Sequence, residues 1–222
     1  MMCQVSGADY PLLRPENPSG INSQLFLNQI DLFIDNGRVT AYPTGKIRPK
    51  GTRCASNNHM ADNKWRAYAK GERIMKKIAI NGFGRIGRNV LRALLEAPRT
   101  DFEITVINDL APAETSALLL ELDSTHGRLG QPVIAGDGFI EVGGSRITYL
   151  SERSPEACRW GDHGIDLVME CTGIFTDAAA ARAHLDAGAA KVIVSAPSKG
   201  ADATIVYGVN DNSLTHDMTV IS

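Results

Sequence analysis

The stretch "INGFGRIGR", Ile80 to Arg88, carries three glycines, Gly82, Gly84 and Gly87, at the spacing G-x-G-x-x-G. The preceding residues, "KKIA", open a short β-rich run, and the following ones, "RNVLRALLEAP", have helical periodicity. In a strand–loop–helix context each glycine has a physical task. Gly82 permits a tight turn, Gly84 lets backbone approach a ligand, and Gly87 lets the helix pack close to the strand. The N–H groups of Arg85 and Ile86 then begin the helix, whose positive dipole end suits the pyrophosphate of a dinucleotide.

Working outward, "RIGRNVLRALLEAP" places Ile86, Val90, Leu91, Leu94 and Leu95 on one face and stops at Pro98. "FEITVIND" reads as a second strand and "AETSALLLEL" as a second helix. "QPVIAGD", "GFIEVGG" and "SRITYL" read as three short strands joined by Gly-containing turns, a small antiparallel insertion. "SPEACRW" suits a short helix, "IDLVMECTG" a buried parallel strand, "DAAAARAHLDAG" a helix closed by Gly188, and "AKVIVSAP" the next strand. "ATIVYGVN" and "MTVIS" read as two more strands. The alternation predicts an α/β fold, a Rossmann-type, doubly wound, mostly parallel sheet.

Residues 1–74 differ in kind. They carry 10 of the 23 Lys and Arg and 6 of the 25 Asp and Glu, a balance of +4, against −6 for residues 75–222. "RPENPSG" and "AYPTGKIRPKGTR" interrupt the segment with Pro and Gly, and only "SQLFLNQIDLFI" has helical periodicity. A single amphipathic segment cannot bury its own face. The expectation is a leader, disordered or not native, followed by a dinucleotide-binding domain over 75–222. Lys70-Gly71-Glu72 could be encoded by a purine-rich ribosome-binding site just before Met75, which would make Met75 the natural start.

Composition excludes several classes. With 43% hydrophobic and 22% charged residues the 222-residue chain is ordinary globular protein, with no apolar run long enough to span a bilayer. Nothing indicates nucleic-acid binding. Cys3, Cys54, Cys158 and Cys171 form neither a metal-ligand spacing nor a disulfide framework, so no metal site is expected and a reducing cytoplasm is the default.

The second strand ends at Asp109, twenty-seven residues beyond Gly82, near the offset of an acid that accepts bonds from a ribose 2′-OH and repels a 2′-phosphate. That favours NAD over NADP; the competing role is a helix N-cap. Thr172 and Gly173, in "CTGIF", and Ser195, in "SAP", stand at strand carboxyl ends, where such sheets bind ligands, although turn chemistry explains them equally well.

Together "KIAINGFGRIGR", "VINDL", "DSTHGR", "ECTGIFT", "VIVSAPSKGAD" and "VYGVND" resemble the N-terminal half of phosphorylating glyceraldehyde-3-phosphate dehydrogenases, from Met75 to Ser222. The resemblance implies that Arg85 and Ile86 bind the pyrophosphate and that Asp109 holds the adenosine ribose. It also places Arg153 beside the adenine, Thr172 and Gly173 along the cleft, and Ser195 near the nicotinamide. It implies a glycolytic, homotetrameric enzyme that oxidises and phosphorylates a small phosphorylated aldehyde, using NAD and inorganic phosphate. The erythrose-4-phosphate dehydrogenase branch shares this half, and a stand-alone NAD-binding module is a further alternative. The family's cysteine nucleophile lies in an "NASCTTN"-like segment after a strand ending "VIS", and its histidine follows. The resemblance therefore puts the catalytic residues after Ser222, leaving none here. Val220 and its neighbours are then expected to be exposed for want of a covering helix.

Overall fold

The computed structural model describes residues 75–98 and 100–222. The leader expected over 1–74 lies outside the described residues. Strand β1 (Lys76–Asn81) has its last four residues buried, Ile78 and Ile80 in one apolar cluster and Ala79 in another on the opposite face. Burial on both faces is what a central parallel strand requires. Helix α1 (Arg85–Glu96) returns the chain to β2 (Phe102–Asn108), which pairs parallel to β1. Helix α2 (Ala113–Glu121) leads into a two-stranded hairpin, β3 (Leu122–Asp123) and β4 (Gly127–Arg128).

Strands β5 (Val133–Gly136), β6 (Phe139–Val142) and β7 (Ser145–Leu150) form an antiparallel meander. Its last strand, β7, also pairs parallel to β2 and joins the meander to the main sheet. A 3-10 turn (Pro155–Cys158) and the short α3 (Trp160–His163) precede β8 (Leu167–Glu170). The alanine-rich stretch is two short pieces, α4 (Ala178–Ala181) and α5 (Ala183–Asp186), and Asp177 caps the first by accepting from Ala180 N at 2.9 Å. Strands β9 (Lys191–Val194) and β10 (Val220–Ile221) follow. The sheet order is β10-β9-β8-β1-β2-β7-β6-β5, parallel from β10 to β7 and antiparallel beyond.

Three expectations are corrected. "ATIVYGVN" is not a strand: only Ala203 bridges, to Ile221, and the chain then turns. Asn210 drives that turn, its Oδ1 accepting from Val206 N at 2.7 Å and its Nδ2 donating to Thr204 O at 2.9 Å. Ile86 is 47% exposed, because the first turn of α1 stands at the carboxyl edge of the sheet instead of over it. Val220 is fully buried among Ala178, Ala181, Val192 and Val194, so α4 covers that face. Ile221, on the other face, packs in the main cluster with Leu214 and with Ile205, which belongs to the segment first read as a strand.

Candidate cofactor site

The strand order reverses at β1: the chain runs from β1 outward to β2 on one side, and β8 fills the other. The carboxyl ends of β1 and β8 are therefore the topological switch point, where the ligand crevice of an open α/β sheet lies. Gly82 lies at φ +92°, and a Cβ there would sit 2.6 Å from Thr172 N and 2.8 Å from the Cys171 carbonyl carbon. No side chain fits between the two loops. A Cβ at Gly87 would run into the Gly82 carbonyl oxygen, so the helix can approach the strand only with glycine there. Gly84 is the reverse case, exposed and with nothing within 4 Å of a would-be Cβ. That open space leaves the Gly84 backbone accessible.

Gly84 is also the N-cap of α1, in extended conformation, and no side chain caps the helix. The first turn holds no acidic residue. Arg85 and Ile86 are exposed there, so their N–H groups and the helix dipole are available to an anion. The Arg85 guanidinium turns to the β3–β4 hairpin, where Nη1 pairs with Asp123 Oδ2 at 3.1 Å. Asp123 also accepts from His126 N at 2.9 Å and Thr125 N at 2.8 Å. These backbone donors, His126 first, hold its carboxyl well below the usual carboxylate range. Arg88, from the same turn, donates Nη1 to Phe83 O at 2.8 Å, and burial lowers its pKa.

Asp109 follows β2 directly. It does not cap α2, whose N-cap is Pro112. Its Oδ2 accepts from Phe83 N at 2.6 Å, inside the glycine loop, and its Oδ1 from Ala111 N at 2.8 Å. One carboxylate thus joins the β1 loop to the β2 loop and stays half-buried at the rim. Thr172 bonds Glu170 Oε1 through both its N–H, at 2.8 Å, and its hydroxyl, and its Oγ1 accepts from Ile174 N at 3.0 Å. Gly173 beside it is exposed, with φ +74°. Ser195, one strand further, donates its N–H to Glu170 O at 2.9 Å. Arg153 lies exposed in the loop after β7.

The fold therefore brings Gly82, Gly84, Arg85, Ile86, Gly87, Asp109, Thr172 and Gly173 to one crevice, with Ser195 one strand along from Thr172 and Arg153 in a flanking loop. Sequence reasoning missed Asn81, Asn108, Glu170 and His184, a buried polar chain beneath these loops. A signal existed: "LVME" puts a carboxylate inside an apolar strand, and both β1 and β2 end in Asn. Neither described cysteine is activated. Burial pushes the thiols of Cys158 and Cys171 up to about 12, and Ser195 offsets this only partly at Cys171. Among the described residues no cluster of His, Cys, Asp or Glu could hold a metal ion, and no helix is long and apolar enough to cross a membrane.

Residues 76–178 match the family model described as glyceraldehyde 3-phosphate dehydrogenase, NAD binding domain. A glyceraldehyde-3-phosphate dehydrogenase of Cereibacter sphaeroides is 55% identical over 146 residues, covering 66% of this chain and 43% of the relative. One from Kitasatospora aureofaciens is 54% identical over 149 residues, covering 67% and 45%. One from Xanthobacter flavus is 54% identical over 147 residues, covering 66% and 44%. The chain spans less than half the length of these curated relatives. With the fold and the glycine crevice, these matches make residues 76–178 similar to the NAD-binding domain of glyceraldehyde-3-phosphate dehydrogenases.

Proposed function

We propose that the 75–222 domain holds NAD extended across the β1–β8 crevice. The pyrophosphate lies on the N–H groups of Arg85 and Ile86, with Gly82, Gly84 and Gly87 shaping the approach. Asp109 accepts from the adenosine ribose, Arg153 flanks the adenine, Thr172 and Gly173 line the cleft, and Ser195 lies toward the nicotinamide. The observation that carries this reading is the uncapped start of α1 beside the open Gly84, at the point where strand order reverses. When bound, NAD supplies a two-electron hydride acceptor.

For the longer proteins that the relatives represent, the name implies oxidation of glyceraldehyde 3-phosphate. We extend to this protein the same substrate, inorganic phosphate as co-substrate, a glycolytic role, a homotetrameric assembly and a cytoplasmic location. The described domain alone does not turn over. Covalent aldehyde oxidation needs a thiolate, and both described thiols are held protonated far above neutral pH.

Two measurements on the full 222-residue chain test this. Amide resonances of Arg85 and Ile86 are expected to shift on adding NAD, and no reduced nicotinamide is expected with glyceraldehyde 3-phosphate, NAD and phosphate. Unmoved amides would overturn the pyrophosphate assignment. Turnover abolished by Cys171→Ser would overturn the claim of inactivity.

A further inference from the structure

Beneath the crevice runs a continuous line of buried hydrogen bonds whose direction is set at both ends by groups that only donate. At one end the Trp160 indole Nε1–H donates to His184 Nδ1 at 2.9 Å. That nitrogen must be an acceptor, so the His184 proton sits on Nε2, 2.9 Å from Glu170 Oε2. At the other end the Glu152 N–H donates to Asn108 Oδ1 at 2.8 Å. This orients the Asn108 amide, whose Nδ2 donates to Asn81 Oδ1 at 2.7 Å and to Glu152 O at 2.9 Å. The Asn81 amide is oriented in turn, and its Nδ2 donates to Glu170 Oε2 at 2.6 Å. Both lines end at Glu170, which also takes the N–H and hydroxyl of Thr172 on Oε1. Four donors converge on one fully buried carboxylate, which only accepts.

The anchored residues are not scattered. Asn81 immediately precedes Gly82, Asn108 precedes Asp109, Glu152 precedes Arg153, and Thr172 is itself a wall of the crevice. We propose that Glu170 is a positioning residue for the dinucleotide cleft, the common acceptor that sets the loops after β1, β2, β7 and β8 relative to one another. The inference rests on the NAD-binding reading of this crevice, and Glu170 itself need not touch the nucleotide. A carboxamide of the same size cannot replace it. Glu170→Gln would set an NH2 against donors whose orientation is fixed at Glu152 and Trp160, so at least one donor must face another and one loop must move. His184→Gln is the opposite case, since its NH2 can donate to Glu170 while its carbonyl accepts from Trp160.

The test is NAD affinity by calorimetry on the 222-residue chain, at a temperature where circular dichroism shows each variant folded. Glu170→Gln is expected to weaken NAD binding by roughly tenfold or more and to shift the amide resonances of Gly82, Thr172 and Gly173. His184→Gln should stay within roughly twofold of wild type. A purely structural role would lower the melting temperature and leave the affinity of the folded protein unchanged. Unaltered affinity in Glu170→Gln, or equal losses in the two variants, would overturn the proposal while wild-type binding upholds the NAD reading. If Glu170→Gln does not fold, His184→Gln against His184→Leu decides: affinity kept by the first and lost by the second supports the inference, and equal affinities overturn it. A wild-type chain that binds no NAD would overturn the NAD reading, and the positioning role with it.

Discussion

At Gly87 and Gly84, three residues apart, the same amino acid meets opposite demands. A methyl group at Gly87 collides with the Gly82 carbonyl, whereas one at Gly84 meets nothing. Gly87→Ala is therefore expected to destabilise the domain by about 1–3 kcal/mol, the usual range for overpacking. Gly84→Ala, a change at an N-cap, should cost less, under about 1 kcal/mol, yet weaken NAD binding, since it fills that open space. Denaturant unfolding and NAD titration of both variants check this, and equal destabilisation would contradict it. The cysteines carry a second prediction at this scale. With both thiols pushed up to about 12, iodoacetamide at mildly alkaline pH should label folded Cys158 and Cys171 at least roughly a hundredfold more slowly than free cysteine. Peptide mapping separates them from Cys3 and Cys54. A raised thiol stabilises the fold below its unfolded value of about 8.5, and that contribution is lost as pH climbs from there toward the folded value. Free-cysteine reactivity at Cys171 would contradict the account.

At the scale of elements, the β3–β4 hairpin is held to the start of α1 by Asp123, through its bond to Arg85 and two backbone N–H groups. Asp123→Ala should cost about 1–2 kcal/mol at neutral pH. The sign follows from a depressed carboxyl: its stabilisation is present above the unfolded value of about 3.9 and is lost as pH falls through the lower folded value. The gap between wild type and variant, read by thermal melts, should therefore shrink in acid; a gap that widens would contradict it. Helix α1 shows what local sequence does and does not reveal. The spacing of Val90 and Leu91 marks the buried face, and both are buried. Arg92 beside them, though charged, is also buried, donating to the carbonyls of Leu120, Glu121 and Gly127. Those acceptors lie 28 to 35 residues away, beyond any local pattern. "ATIVYGVN" fails for a related reason. Its apolar residues are needed in a cluster, Ile205 against Ile221, and Asn210 bonds back to turn the chain.

At the scale of the molecule, the glycine loop and Asp109 were legible because their tasks are local: a positive φ, a close approach, an acid at a strand end. The buried line through Glu170 was not, because Asn81 and Glu170 are 89 residues apart and meet only when β1 and β8 pair. Pairing also explains why Val220 is covered: α4, which sequence alone could not place, lies over the β9–β10 face. The central claim is that this crevice binds NAD with the adenosine ribose on Asp109. The most direct measurement titrates the 222-residue chain and its Asp109→Ala variant with NAD and NADP by calorimetry. The account predicts that NAD binds wild type at least roughly tenfold more tightly than NADP, because a carboxylate repels the 2′-phosphate, and that Asp109→Ala closes most of that gap. No binding of NAD, or equal affinities for the two nucleotides in the wild-type chain, would contradict it.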